Sequence, residues 1–273
     1  MNKLIKRLLS NVIGFDTIKL FFFQVVEKIA PVVSLWIVSQ LFEVKSFDTF
    51  ALILISVSTI VSWSTSGIGV AATKAAFRDG NEEMESLNSL SYILSLLTSL
   101  IFVIFSIVSN EFTIFNLLIT LSAGHFASKS VLKKSIQIAN FNWKVLFNAY
   151  VLGLLALIVS FLIFFKLKIE FPELGLFIYY LILSRLLNIK ISFKLKLKVK
   201  TLRYFYKELG PLYLTGIISG SMIFVLTMIA IGKNNSEGIT GMIAIAFQAI
   251  SILQFLPMAM NRVFLVLLSS GKK

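Results

Sequence analysis

Glu27 and Lys28 stand side by side about two turns inside the first long apolar run of the chain, Phe21–Leu41. A charge at the centre of a bilayer costs about 2.5–3.5 kcal/mol on insertion scales, so it needs a compensating partner. Neighbouring helical positions point about 100° apart, so these two do not readily pair with each other. Neither has an opposite charge three or four positions away. Their partners must come from other helices, lipid headgroups or a wet cavity. Gln24, one turn before Lys28, extends the polar face, and Pro31 just beyond frees a backbone carbonyl. Two readings follow. In one, the three residues line a cationic, hydrated lumen that handles an anionic substrate. In the other, the span starts later and both charges snorkel to the membrane surface.

The remaining candidates are basic or polar residues near the ends of apolar runs. His125, the single histidine, sits one turn before Lys129. Its ordinary titration near neutral pH suits a proton-coupling role, and an interfacial or packed histidine is the plainer alternative. Arg185 and Arg262 could each bind phosphate with two parallel hydrogen bonds, or simply anchor a helix end. Lys74 and Arg78 share that ambiguity. Asp79, Glu82, Glu83 and Glu85 form the one acidic cluster, where Asn81 can cap a helix and the acids suit its first turn.

Much chemistry is excluded. The chain has no Cys, so disulfides, thiolate nucleophiles and Cys-based metal sites are out. It has no Walker A sequence, no HExxH and no GxSxG. No catalytic residue, metal or cofactor is expected, and the chain does not read as an enzyme.

The elements that must position these residues are membrane helices. The chain is 57% hydrophobic and only 14% charged over 273 residues, against about a quarter charged in a soluble domain. Eight apolar runs read as spans: Phe21–Leu41, Phe50–Val70, Leu90–Val108, Phe112–Ala127, Val145–Phe165, Leu174–Ile191, Leu212–Ile231 and Ile239–Met260. The connections alternate in charge. One set holds Lys3, Lys6, Arg7 and Lys19, then Lys74 and Arg78, then Lys129, Lys133, Lys134 and Lys144, then the run Arg185 to Lys207, then Arg262, Lys272 and Lys273. The other holds Lys45, Lys166, Lys168 and Lys233. This positive-inside pattern places both termini in the cytoplasm. The net charge of +13 therefore reads as topology and contact with anionic membrane lipids, with no nucleic acid as partner.

Residues 1–16 separate into an apolar face (Leu4, Ile5, Leu8, Leu9, Val12, Ile13) and a polar one, the pattern of an interfacial amphipathic helix. Residues 189–200, IKISFKLKLKVK, alternate apolar and basic and read as a cytoplasmic segment on anionic headgroups. The expected organisation is thus an interfacial helix over 1–16, a six-helix lobe over 17–191, a basic linker over 192–209 and a hairpin over 210–273.

The second span and its exit, FALILISVSTIVSWSTSGIGVAATKAAFRD, carry a G-x-G turn at Gly67 and Gly69 followed by Thr73 and Lys74. This resembles polysaccharide-exporting flippases of the multidrug/oligosaccharidyl-lipid/polysaccharide (MOP) superfamily, where arginine is frequent at the Lys74 position. The seventh and eighth spans, with Gln248, Phe255, Leu256 and Pro257, resemble the opening hairpin of the second lobe in O-antigen (Wzx-type) flippases. The resemblance implies an all-α, MATE-like bundle of two lobes that rock about a central cavity in the bacterial inner membrane. It implies an undecaprenyl-pyrophosphate-linked oligosaccharide as cargo, flipped from the cytoplasmic to the periplasmic leaflet. It also implies a polysaccharide polymerase and a chain-length regulator as partners in lipopolysaccharide or other polysaccharide biosynthesis. Family members have more spans, so the chain is expected to hold a first lobe and a truncated second. The candidate substrate-binding residues are Gln24, Glu27, Lys28, Lys74, Arg78, His125, Arg185, Gln248 and Arg262. The competing readings are a cation-coupled drug exporter of the same superfamily, a polytopic polyprenyl-lipid transferase and a nonfunctional remnant.

Overall fold

A computed structural model describes residues 3–77, 81–109, 112–140, 142–187, 203, 207, 210–233 and 237–253. Within those ranges side chains are described from residue 22 onward, except at 77, 81, 82, 108, 109, 233, 252 and 253. Nine α-helices make up the described residues: α1 Lys3–Leu41, α2 Val44–Thr65, α3 Ile68–Phe77, α4 Asn81–Ser109, α5 Ile114–Ala139, α6 Trp143–Lys166, α7 Glu173–Leu186, α8 Gly210–Lys233 and α9 Ile239–Leu253. Five stretches are long and apolar enough to cross a membrane: Phe22–Leu41, Val44–Thr65, Glu83–Ile107, Trp143–Lys166 and Gly210–Gly232.

The helix boundaries correct two sequence expectations. The second span does not run to Val70. The chain breaks at Ser66 and Gly67, where Gly67 takes φ 73°, a conformation that suits a residue with no Cβ. A separate short helix, α3, follows. Second, Lys129, Lys133 and Lys134 do not lie in a loop. No proline interrupts the stretch after Ala127, and α5 continues twelve residues beyond it to Ala139. The backbone runs as one helix from Lys3 to Leu41 through Pro31, so the segment 3–16 continues into the first span without a break. The Ser34 hydroxyl donates to the Pro31 carbonyl at 2.7 Å. The tails of the sixth and eighth expected spans and most of the basic linker lie outside the described residues.

Helix α2 is the hub. It packs against α1, α4, α5, α7, α8 and α9, and its buried residues fall on every face, from Phe47 and Phe50 to Ser64 and Thr65. Its contact with α8 is close because α8 carries Gly216 and Gly220, the small-xxx-small spacing that lets membrane helices approach. Ser62 Oγ donates to the Gly216 carbonyl at 2.6 Å, and Thr59 Oγ1 to that of Gly220 at 3.2 Å. Trp63 Nε1 donates to Ser221 Oγ at 3.0 Å. The Asp48 carboxylate holds the start of α9, accepting from the Gly238 N–H at 2.6 Å and the Gly241 N–H at 2.9 Å. It satisfies donors that a helix start leaves open.

Contacts also sort the helix ends. At one end Phe42 meets Phe165, Phe115 meets Phe171, Ser46 reaches the Glu170 carbonyl and Asp48 meets Gly238. At the other, Lys134 meets Glu27, Lys133 meets Ser184 and Gln137 meets Leu187. Successive long helices thus run in alternating directions across the bundle, the order required for a chain that threads back and forth.

The α2–α8 contact makes a prediction. A Cβ on Gly216 would sit 1.8 Å from Ser66 Oγ, whereas one on Gly232 would meet nothing within 4 Å. Gly216→Val is expected to destabilise the purified protein by about 1–3 kcal/mol in detergent unfolding, and Gly232→Ala to change it by no more than about 0.5 kcal/mol. Equal effects at both positions would remove the close-packing argument.

Candidate functional site

The charged residues of α1 meet α5 inside the bundle. Helix α1 packs chiefly along α6, so Lys134 must reach across to it from α5. The Lys134 ammonium contacts Glu27 Oε1 at 2.5 Å, with side chains 6% and 22% exposed respectively. Isolated charges do not survive such burial, but paired ones do when geometry is close. One turn earlier on α1, Gln24 is buried and its amide nitrogen has no hydrogen-bond partner among the described residues. Tyr179 and Tyr180 of α7 lie within electrostatic reach of Glu27, their rings 4.9 Å apart.

Next to this pair, Lys133 is buried and donates to the Ser184 carbonyl at 2.5 Å. Gln137 donates to the Leu187 carbonyl at 2.9 Å and accepts from Asn142 at 2.7 Å. These bonds reach carbonyls at the end of α7, where a helix leaves its last carbonyls open to outside donors. Lys28 is half-buried on α1 and has no salt-bridge partner among the described residues. Lys133 neighbours Lys134 on α5, and Lys28 follows Glu27 on α1.

The other sequence candidates are dispersed. Lys74 lies half-buried on α3, and the neighbouring Thr73 donates to the Gly69 carbonyl at 2.9 Å. Arg185 is exposed at the end of α7, close enough to Lys133 to act on its charge. Gln248 is buried on α9, where Ser251 donates to it at 3.4 Å. His125 lines a separate cavity between α4 and α5, its ring edge-on to Tyr92 at 5.7 Å. Arg78 and Arg262 lie outside the described residues. Gln24, Glu27 and Lys28 share α1, and the structure brings to Glu27 a residue the sequence reading left in a loop, Lys134, with Lys133 beside it in sequence. The signal was present: Ser130, Lys134 and Gln137 fall on one helical face at i, i+4 and i+7.

No group of three or more His, Asp or Glu side chains able to hold a metal occurs among the described residues. Comparison with protein-family models, curated proteins and solved structures finds no match to this chain. What the fold defines is a class: an all-α, multi-pass membrane protein with five long apolar helices and a buried ion pair inside the bundle.

Removing one member of a buried pair strands the other, at a cost of about 3–5 kcal/mol, whereas replacing both with apolar or neutral groups is near neutral. Lys134→Ala should therefore lower the unfolding free energy in detergent by about that amount. The double variant Glu27→Gln/Lys134→Met should recover most of the loss. A double variant as unstable as the single one would show that Lys134 is held by packing and not by Glu27.

Proposed function

We propose that this protein is a lipid-linked oligosaccharide flippase, in which the positive cluster of α1 and α5 receives the diphosphate of an undecaprenyl-linked glycan. The observation that supports the reading is the burial of basic side chains in an apolar bundle: Lys133 and Lys134 are buried on α5, and Lys28 is half-buried on α1 next to Glu27. Intramembrane charges mark substrate paths more often than they stabilise folds. A diphosphate calls for cationic donors, and a lysine ammonium group is one.

In this reading α5, α7 and α9 complete an eight-span chain with both ends in the cytoplasm of a bacterium. The first six spans form one lobe, and α8 and α9 open a second. Cargo enters from the cytoplasmic leaflet, the glycan occupies the hydrated space between lobes, and rocking of one lobe on the other exposes it to the periplasm. Lys28 is the residue assigned to the diphosphate, because Lys134 is engaged by Glu27 and Lys133 by Ser184. A polymerase and a chain-length regulator would act next on the delivered units. A drug exporter for cations fits less well, since it wants a lumen carboxylate free of a fixed cation, and Glu27 has Lys134.

The test is complementation of a strain lacking its own O-unit flippase, read as surface polysaccharide. The intact chain is expected to restore export. Lys28→Ala is expected to cut it about tenfold or more, the loss of one charge-assisted bond, at unchanged protein level in the membrane. Normal export in Lys28→Ala would sink the assigned role of the cation.

A further inference from the structure

Glu173 opens α7, just before the apolar run Leu174–Ile191, at the end of the bundle opposite the Glu27–Lys134 pair. It is the one buried acid among the described residues, at 2% exposure. Acidic side chains almost never sit fully inside a protein unless they are paired. The two buried lysines follow that rule: Lys134 meets Glu27, and Lys133 meets the Ser184 carbonyl. Glu173 does not follow it, for no cation pairs with it among the described residues.

Helices α2, α5 and α6 pack on α7. Near its first turn the packing is tight and apolar. A Cβ on Gly175 would come 2.6 Å from the Phe161 ring and 3.4 Å from Leu157, both on α6. The charged groups at this end are Glu43, Lys45 and Asp48 at the start of α2, Lys166 of α6, and Lys168 and Glu170 in the turn from α6 to α7. The first turns of α5 carry none. None of these charges offsets the burial, which pushes Glu173 up to about 7; only its own backbone N–H pulls the other way. Water is nevertheless close. The turn just before Glu173 is open, with Leu167 63% and Phe171 47% exposed. Two light contacts hold it: Ser46 Oγ on the Glu170 carbonyl at 3.5 Å, and the Phe115 ring 5.0 Å from that of Phe171.

We propose that Glu173 is a proton-binding site that couples the packing of the α6–α7 turn to the acidity of the water at that end of the bundle. With its proton the carboxyl is neutral and stays beneath the turn. Without it the site holds a bare charge among carbon, and lifting the first residues of α7 together with the turn returns that charge to water. The folded chain keeps this proton up to about pH 7, whereas a carboxyl at its ordinary value loses it near 4.5. The stability that the proton confers is therefore complete below about pH 4.5 and is lost as the pH rises through about 7.

The experiment uses the full chain purified in detergent, with Glu173→Gln as a permanent mimic of the protonated form. The infrared carbonyl band of a protonated carboxyl is followed against pH. At about pH 6 an ordinary glutamate is ionised, so a band still present there, lost with a midpoint near 7 and missing from Glu173→Gln, is the expected result. No such band at about pH 6 would overturn the site. Chemical unfolding then tests the coupling. Relative to Glu173→Gln, the folding constant of the intact chain is expected to fall by up to about tenfold per pH unit between about pH 4.5 and 7, and parallel curves would overturn it. Amide exchange over residues 172–176, referenced to Glu173→Gln at the same pH, is expected to quicken in the intact chain above about pH 7; an unchanged rate would remove the turn from the proposal. Phe171→Ala loosens the turn without touching the acid and serves if Glu173→Gln does not fold. It is expected to lower the midpoint of the band, and an unmoved midpoint would overturn the link between turn and proton. Protonation and packing are read without transport, so the outcome is independent of the flippase proposal.

Discussion

A helix surrounded by other helices inside an apolar bundle has no water to satisfy its polar groups, and α2 is in that position. Its hydroxyls solve the problem in two ways. Ser56, Thr59, Ser64 and Thr65 donate to carbonyls one turn back on the same helix, at 2.7–3.0 Å. Ser62 and Thr59 also reach outward to carbonyls of α8, and Ser64 shares a 2.6 Å bond with Ser128 of α5. The same small side chains permit close approach. Gly124 of α5 lies so near Ile60 that an added Cβ would come within 2.9 Å of it. Polarity and small size are therefore one solution here: the residues that need partners are also those that let the partners come near.

The charged cluster sits where this close packing stops. Between α1 and α5 the gap is bridged by long side chains and not by touching backbones. A lysine with a flexible stem and compact ammonium suits such a gap. The pair contributes little net stability, because desolvation offsets most of the attraction. Near it on α1 is a buried Gln24 whose amide nitrogen has no partner among the described residues, and next to Lys134 in sequence is the buried Lys133.

Much of this was legible in the sequence, for particular reasons. Apolar runs such as Val145–Phe165 have no competing interpretation, and α6 follows that run to within two residues. The alternation of basic and sparse connections anticipated the direction of each helix. The cap from Asp48 onto α9 is tertiary and left no local trace, since its donors lie about 190 positions away. The burial of Lys133 and Lys134 was missed because lysines near the end of an apolar run ordinarily mark the aqueous side. That rule is statistical, and the continuous periodicity of α5 overrides it. The turn at Gly67 was visible as a G-x-G pattern, but the split of one expected span into α2 and α3 depends on a backbone angle that residue types permit without requiring.

The pairing of Ser62 with Gly216 joins residues 154 positions apart. At a ribosomal rate of about 5–20 residues per second, α8 emerges about 8–30 s after the face of α2 that receives it. During that interval α2 is in the membrane with a polar stripe turned to lipid, or it is held at the insertion site until its partner arrives. Assembly of this bundle is then a question of timing during synthesis, and the half-made protein needs shelter that the finished one does not.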